Sequence, residues 1–323
     1  MEKEIGGIPQ VVLNSGHKMH LVGLGTAKDP FIEDESLKFP ILEAMELGYR
    51  HFDTAMIYKS EKALGQAIAE AQERGIIDSR SELFVTSKLW CTDNHPDGVL
   101  PALHQTLQRL QLEYLDLYLI HFPARLKGGI KTAEFREEDI LPIDLEGTWK
   151  AMEECCRLGL TKSIGVSNFS CKKLQDLLAI ATIPPAVNQV EMHPFWQQRK
   201  LRGFCEAKGI HVEAFSPLGG GGVTWGPNAV LDCELLTEIA QAKGKSLAQV
   251  CLRWGFQQGV TLVLKSFKRE RLKENLQIFD WELNEEELHK IGEIPQMKFA
   301  RAEKYVTPEG PFKTLEDIWD GEI

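Results

Sequence analysis

Apolar positions along the chain follow two alternating rhythms. Short runs rich in β-branched, leucine and aromatic residues recur at 21–24, 49–53, 83–88, 115–120, 163–167, 186–190, 211–215 and 260–264. Between them apolar residues return at spacings of three and four, the period of an amphipathic helix, over 61–73, 100–110, 145–158, 172–180, 201–208 and 247–256. Several of these stretches end in glycine after a polar or basic last turn, as at Gly75, Gly159 and Gly209, where a helix C-cap favours it. Alternation of strand and helix implies parallel strands joined by crossover helices, and eight such units close a (β/α)8 TIM barrel. Ahead of the first run, 9–13 and 18–21 flank an Asn-Ser-Gly turn and predict an N-terminal β-hairpin. Irregular stretches at 123–142 and 218–230 break the alternation, and a tail follows Ile294. A chain of 323 residues could hold two domains. No Pro/Gly/Ser-rich linker divides it, so residues 1–323 are expected to form one barrel domain. Its long loops, and a tail over about 295–323, should lie on the face where the strands end.

Polar residues cluster at the ends of these runs. Asp53 ends the second, Lys88 the third, His121 follows the fourth, and Ser167 and Asn168 close the fifth. Gln189 lies late in the sixth, Ser216 follows the seventh, and Lys265 and Ser266 follow the eighth. A lone Asp or Lys at a strand end is commonly a solvated terminus. Recurrence at almost every strand is different, because a barrel brings all those ends to one rim. Tyr58 lies five residues beyond Asp53. A buried ammonium such as Lys88 would lower the pKa of a tyrosine from about 10 and fit it to donate a proton. Asp53 would keep Lys88 charged, and His121 could hydrogen-bond the reacting oxygen. The set holds an acid with electrostatic support but no activated Ser or Cys, no acid pair and no metal ligands. Carbonyl reduction needs such a set, with hydride taken from a cofactor.

Charge and composition narrow the partners. The chain carries 37 basic and 47 acidic residues, a net charge of -10, without a basic run, so nucleic acid is not an expected partner. No apolar stretch approaches the ~18 residues of a membrane span, and the N-terminal segment lacks a basic and an apolar secretory region. The 7 cysteines are scattered without a C-x-x-C pair, which signals neither a disulfide framework nor zinc. A cytoplasmic location with free thiols is the expectation. Two nucleotide motifs fail on inspection. Gly23-Leu-Gly25-Thr-Ala-Lys28 puts Lys28 where a dinucleotide fingerprint needs its third glycine, and Gly244-Lys245-Ser246 is preceded by Ile239 where a phosphate loop needs its first.

The same residues, in the same order, resemble the aldo-keto reductase superfamily. The matching segments are Gly23-Leu-Gly25-Thr26, Gly48-Tyr-Arg-His-Phe-Asp-Thr-Ala55, Tyr58, Thr86-Ser-Lys-Leu-Trp90 and Asp116-Leu-Tyr-Leu-Ile-His121. They continue through Gly165-Val-Ser-Asn-Phe169, Val187-Asn-Gln-Val-Glu191, Phe215-Ser-Pro-Leu218 and Lys265-Ser-Phe267 to Arg271, Glu274 and Asn275. Glu153-Glu154-Cys155, Phe279-Asp280-Trp281-Glu282-Leu283 and Gly310-Pro-Phe-Lys-Thr resemble the plant branch that contains codeinone, methylecgonone and chalcone (polyketide) reductases.

The resemblance implies a catalytic tetrad of Asp53, Tyr58, Lys88 and His121 with Tyr58 as general acid, and NADPH as cofactor. Ser167, Asn168 and Gln189 would hold the nicotinamide carboxamide, and Phe215 would stack on the ring. Gly25, Thr26, Ser216 and Leu218 would lie along the cofactor. Lys265, Ser266 and Arg271 would meet the 2′-phosphate, Phe267 would also contact the cofactor, and Glu274 and Asn275 would lie near adenine. Met56, Trp90, Phe122 and Trp225 would line an apolar pocket for a bulky cyclic ketone. The chain departs from the common pattern at His20, Phe122 and Lys268; Lys268 would add positive potential near the phosphate. The implied protein is a monomer that reduces a ketone or aldehyde in plant specialised metabolism, with no metal. A sugar or aldehyde reductase, and a non-catalytic NADPH-binding barrel, are the alternatives.

Overall fold

The computed structural model describes residues 7–130, 134–220 and 227–323. An antiparallel hairpin comes first, β1 (Gln10–Val12) with β2 (Lys18–His20). Four barrel strands follow: β3 (Val22–Gly25), β4 (His51–Asp53), β5 (Phe84–Leu89) and β6 (Leu115–Ile120). The stretch predicted as irregular carries a small hairpin, β7 (Arg125–Leu126) with β8 (Ile140–Leu141). Then come β9 (Thr161–Ser167), β10 (Val187–Glu191), β11 (His211–Phe215) and β12 (Thr261–Leu264). The eight strands from β3 to β12, leaving out the small hairpin, pair in parallel, and β12 returns to β3 to close the barrel.

Helices α1 (Lys38–Glu46), α2 (Glu61–Glu73), α3 (Pro96–Leu110), α4 (Leu145–Arg157) and α5 (Cys171–Leu178) supply the crossovers of the first half. The second half adds α6 (Arg199–Ala207), α7 (Glu234–Lys243), α8 (Leu247–Gln257), α9 (Arg269–Asn275) and α10 (Glu285–Gly292), and the tail ends in α11 (Leu315–Trp319). Helix α3 starts a turn earlier than its apolar spacing suggests, because Pro96 sits at its first positions, where no N–H is needed. Helix α1 falls outside the periodic stretches because its 9 residues let its buried face, Ile41, Leu42, Ala44 and Met45, repeat only once. Gly159 and Gly209 adopt φ of 72° and 66°, the left-handed conformation that ends the helices before them.

Two apolar layers hold the ring. The larger lies between strands and helices, where Trp149, Tyr49 and Phe52 are among the bulkiest fully buried side chains. A smaller one closes the N-terminal mouth, where Leu13 and Met19 of the hairpin segment pack against Phe84, Leu117, Leu119 and Val187. The hairpin turn is fastened there by Asn14 Nδ2, which donates to the Pro185 carbonyl at 2.9 Å. Burial of a side chain such as Met19 stabilises this closure by roughly 1.5–3 kcal/mol. The opposite mouth stays open to the loops.

Where α2 crosses the end of α3, Gly65 leaves no room for a side chain: a Cβ there would stand 2.2 Å from the Leu110 carbonyl oxygen. Gly65→Ala should therefore lower stability by about 1–3 kcal/mol, although alanine is the better helix former, and urea unfolding would measure it.

Candidate active site

The open mouth is organised around a buried ion pair. Lys88, near the end of β5, is fully buried, and its Nζ donates to Asp53 Oδ1 and Oδ2 at 2.6 and 2.7 Å and to the Thr54 carbonyl at 3.0 Å. Asp53 ends β4 opposite Thr86 of β5, and Lys88, two residues further along that strand, reaches back to it. Burial pulls the Lys88 pKa down, but the Asp53 charge and its hydrogen bonds, aided by Tyr58 and Glu213, raise it overall.

Tyr58 closes a short helical turn over 56–58 just past β4, and Lys88 Nζ lies 5.0 Å from the centre of its ring. Its hydroxyl is 3.3 Å from Nε2 of His121, which follows β6. The turn is braced from below. Thr26 donates its hydroxyl to the Asp53 carbonyl at 3.0 Å and meets Ser60 Oγ at 2.7 Å, and Ser60 also reaches Thr54. Thr26, expected along the cofactor, thus has its hydroxyl engaged within the protein.

The net shift at Tyr58 runs opposite to the sequence-based expectation. Desolvation raises its pKa, with Asp53 and Glu213 acting the same way, while the Lys88 charge opposes them without prevailing. The His121 pKa lies well below the usual range, through burial first and then the charges of Lys88 and Lys304, so the imidazole is neutral.

Other sequence-predicted residues sit around this rim. Ser167 donates its hydroxyl to the Gln189 carbonyl at 2.8 Å, and Asn168, at a φ of 64°, donates Nδ2 to the His121 carbonyl and to Ser167 Oγ at 3.0 Å each. Gln189 donates both N–H groups inward, to Asp53 Oδ2 at 2.7 Å and Glu213 Oε2 at 2.6 Å. No described residue engages its oxygen.

Phe215 ends β11 half-buried, Ser216 turns the chain away at a φ of 50°, and Leu218 and Phe267 rest against the main core. Lys265 follows β12 exposed, and Ser266 Oγ accepts the Lys268 N–H at 3.2 Å. Arg271 and Glu274 lie on α9, with buried Asn275 at its end. Among the described residues no ion pair engages Lys265, Lys268 or Arg271, whereas Arg269 bonds Glu46. Gly25 ends β3 against β12, where a Cβ would stand 2.9 Å from Val263 Cγ1. Gly23 likewise faces His51, so these glycines serve close contact inside the barrel.

Beside Tyr58 lies an aromatic wall. Trp90 packs edge-on to His121 at 5.2 Å, and Phe122 stacks on Tyr305 at 4.5 Å with Trp319 at 5.9 Å. Met56 and Phe31 pack against the same cluster, while Trp225 lies outside the described residues. Sequence reasoning placed the tail over this face without naming Tyr305 or Trp319, and it missed Phe31 in the loop after β3, because no strand or motif carries these residues. Glu213 was missed as well, although a carboxylate in the middle of a buried strand is itself a sign.

A barrel with Asp, Lys, Tyr and His converging at the ends of successive strands defines an oxidoreductase of the carbonyl-reducing type. The chain belongs to the aldo/keto reductase family, whose model matches residues 21–295. It is 59% identical over 317 residues to a 7-acetyl-epi-neemfruitin B aldo-keto reductase of Melia azedarach, covering 98% of each chain. It is 55% identical over 317 residues to an NADPH-dependent codeinone reductase of Papaver somniferum, covering 98% of this chain and 99% of the relative. A crystal structure of a Bombyx mori aldo-keto reductase in complex with NADP superposes with a TM-score of 0.84 at 36% identity, over 93% of this chain and 97% of that one.

The buried histidines generate a pH prediction. His121, and His211 with a pKa lowered to about 4 by burial, are neutral when folded and must shed a proton to fold once the pH falls below about 6.5. Stability should therefore fall on acidification, by about 2 kcal/mol for each between pH 6.5 and pH 5. His51, lowered to about 3 by burial, and Glu213, raised to about 8 by burial and Asp53, shift in opposing senses and largely cancel over that interval. Urea midpoints across it should decline accordingly.

Proposed function

We propose that this chain reduces the carbonyl group of a bulky cyclic ketone, or an aldehyde, to an alcohol with NADPH, acting as a monomer in the cytosol of a plant and serving specialised metabolism. Its strongest support is the juxtaposition of the Tyr58 ring with Lys88 Nζ on one side and of its Oη with His121 Nε2 on the other. When bound, NADPH supplies hydride from nicotinamide C4 to the carbonyl carbon. Tyr58 gives its proton to the carbonyl oxygen. Burial keeps the phenol protonated at neutral pH, while the Lys88 charge favours the phenolate that forms as the proton leaves. Asp53 holds Lys88 charged and in place. Neutral His121 offers Nε2–H to the same oxygen, which fixes the carbonyl in front of Tyr58.

The donor set fits the cofactor. The free oxygen of Gln189 can accept from a carboxamide, and Ser167 and Asn168 stand beside it. Lys265, Lys268 and Arg271 are cations suited to a 2′-phosphate, with Ser266 among them. Phe215 offers a ring face for stacking, Ser216 and Leu218 flank the pyrophosphate path, and Glu274 and Asn275 serve the adenine end. Trp90, Phe122 and Met56, with Tyr305 and Trp319 from the tail, form a broad apolar wall suited to a polycyclic acceptor. The relatives named for neemfruitin and codeinone support an acceptor of that kind.

Tyr58→Phe should lower turnover by about a hundredfold to ten-thousandfold while NADPH binding stays near wild type; near-normal turnover would sink the assignment of the acid. Lys265→Ala and Arg271→Ala should each weaken NADPH about tenfold and NADH little, as read from the Kd of each nucleotide. Equal losses would count against a 2′-phosphate site.

A further inference from the structure

Below the rim the barrel holds two ionisable groups that the reaction does not use. Glu213 projects from β11 and His51 from β4, and both are fully buried. Glu213 Oε1 lies 3.3 Å from His51 Nε2, and Glu213 Oε2 accepts one N–H of Gln189 while Asp53 Oδ2 accepts the other. His51 Nδ1 is 3.1 Å from the His20 carbonyl oxygen, which can only accept, so in the neutral ring Nδ1 carries the proton and Nε2 presents a lone pair. The Thr86 hydroxyl reaches the same lone pair only at 3.5 Å, and a carboxylate facing it would be repelled, so a proton on one of the two relieves the contact. Burial opposes charge on His51 and outweighs the hydrogen bond to the His20 carbonyl, which favours it, while the Lys88 charge acts with burial; burial and the Asp53 charge raise the proton affinity of Glu213. The network therefore places the proton on Glu213, whose Oε1 faces His51 Nε2 at 3.3 Å without another partner among the described residues.

We propose that Glu213 is a positioning residue: together with Asp53 it occupies both N–H groups of the Gln189 amide and so fixes the amide oxygen as the atom offered to the nicotinamide carboxamide. The inference rests on the reading of Gln189 as a cofactor contact. Without Glu213 one N–H of Gln189 would be buried and unpaired, and the amide could turn to present nitrogen in place of oxygen, where a carboxamide N–H finds no acceptor. The groups facing this carboxyl are Asp53 and His51 from β4, Lys88 from β5, Gln189 from β10 and Tyr58 above them. An ionised Glu213 would add a second negative charge opposite the single ammonium of Lys88, raising the proton affinity of Tyr58 and Lys88.

The test measures binding by the full chain, through quenching of tryptophan fluorescence, of NADPH and of 2′-phospho-ADP-ribose, which lacks the nicotinamide. Glu213→Leu should raise the Kd of NADPH about tenfold and leave that of 2′-phospho-ADP-ribose unchanged, whereas Glu213→Gln, which retains an acceptor for Gln189 and a donor for His51, should bind both within about twofold of wild type. A leucine variant that loses both ligands equally, or neither, overturns the proposal.

If the leucine variant does not fold, the glutamine variant decides. Ionisation of Glu213 above about pH 8 should shift wild-type preference towards NADP+, whose ring is cationic, by about threefold between pH 7 and pH 9. In Glu213→Gln that drift should vanish; a drift that persists overturns the proposal. Wild type binding NADPH no more tightly than 2′-phospho-ADP-ribose would instead defeat the reading of Gln189.

Discussion

The Lys88–Asp53 pair is the constraint on which the rest of the site depends. An ammonium without solvent access costs several kcal/mol unless it is paired and hydrogen-bonded, and here all three of its hydrogens are used, on two carboxylate oxygens and one carbonyl. That arrangement requires β4 and β5 to be neighbours in a fixed register. It also requires the chain beyond Asp53 to turn at once, since Thr54 supplies the third acceptor, and the turn delivers Tyr58 above the lysine. The pair therefore fixes the active site and the local backbone together, and loss of either member would leave the other as an uncompensated buried charge.

From Asp53 the polar interior continues sideways through Gln189 to Glu213 and His51, across strands far apart in sequence. A flat sheet could not close such a chain; a ring can, because β10 and β11 face β4 across the lumen. The glycines at the start of the ring belong to the same arrangement. Gly23 faces His51, which leaves no room for a side chain, so the first glycine of the pattern suggestive of a dinucleotide loop serves packing inside the barrel.

Much of this was legible in the sequence for a simple reason: period. The runs at 115–120 and 211–215 coincide with β6 and β11, and the polar residues that end the runs do meet at one mouth. Contacts that no local pattern encodes were not legible. Tyr305 and Trp319 reach Phe122 from the far end of the chain, and the hydroxyl of Thr26 turns inward because Ser60 waits there. The direction of the Tyr58 shift was misjudged because sequence reveals a neighbouring charge more readily than the extent of desolvation.

The tail is fastened to the barrel through carboxylates. Glu191 accepts the N–H groups of Phe299 and Ala300 at 2.8 and 2.9 Å, Asp320 meets Ser170 and Lys173, and Glu322 accepts the Cys171 N–H at 3.0 Å. Between these fastenings Tyr305 and Trp319 belong to the cluster beside Tyr58 and not to the main core. The wall that would meet the acceptor is therefore built in part from tail residues that lie outside the barrel's main core. After a gene duplication, such a segment can diverge between its fixed ends while Tyr58 and Lys88 stay as they are, so that the wall can change shape around an unchanged pair.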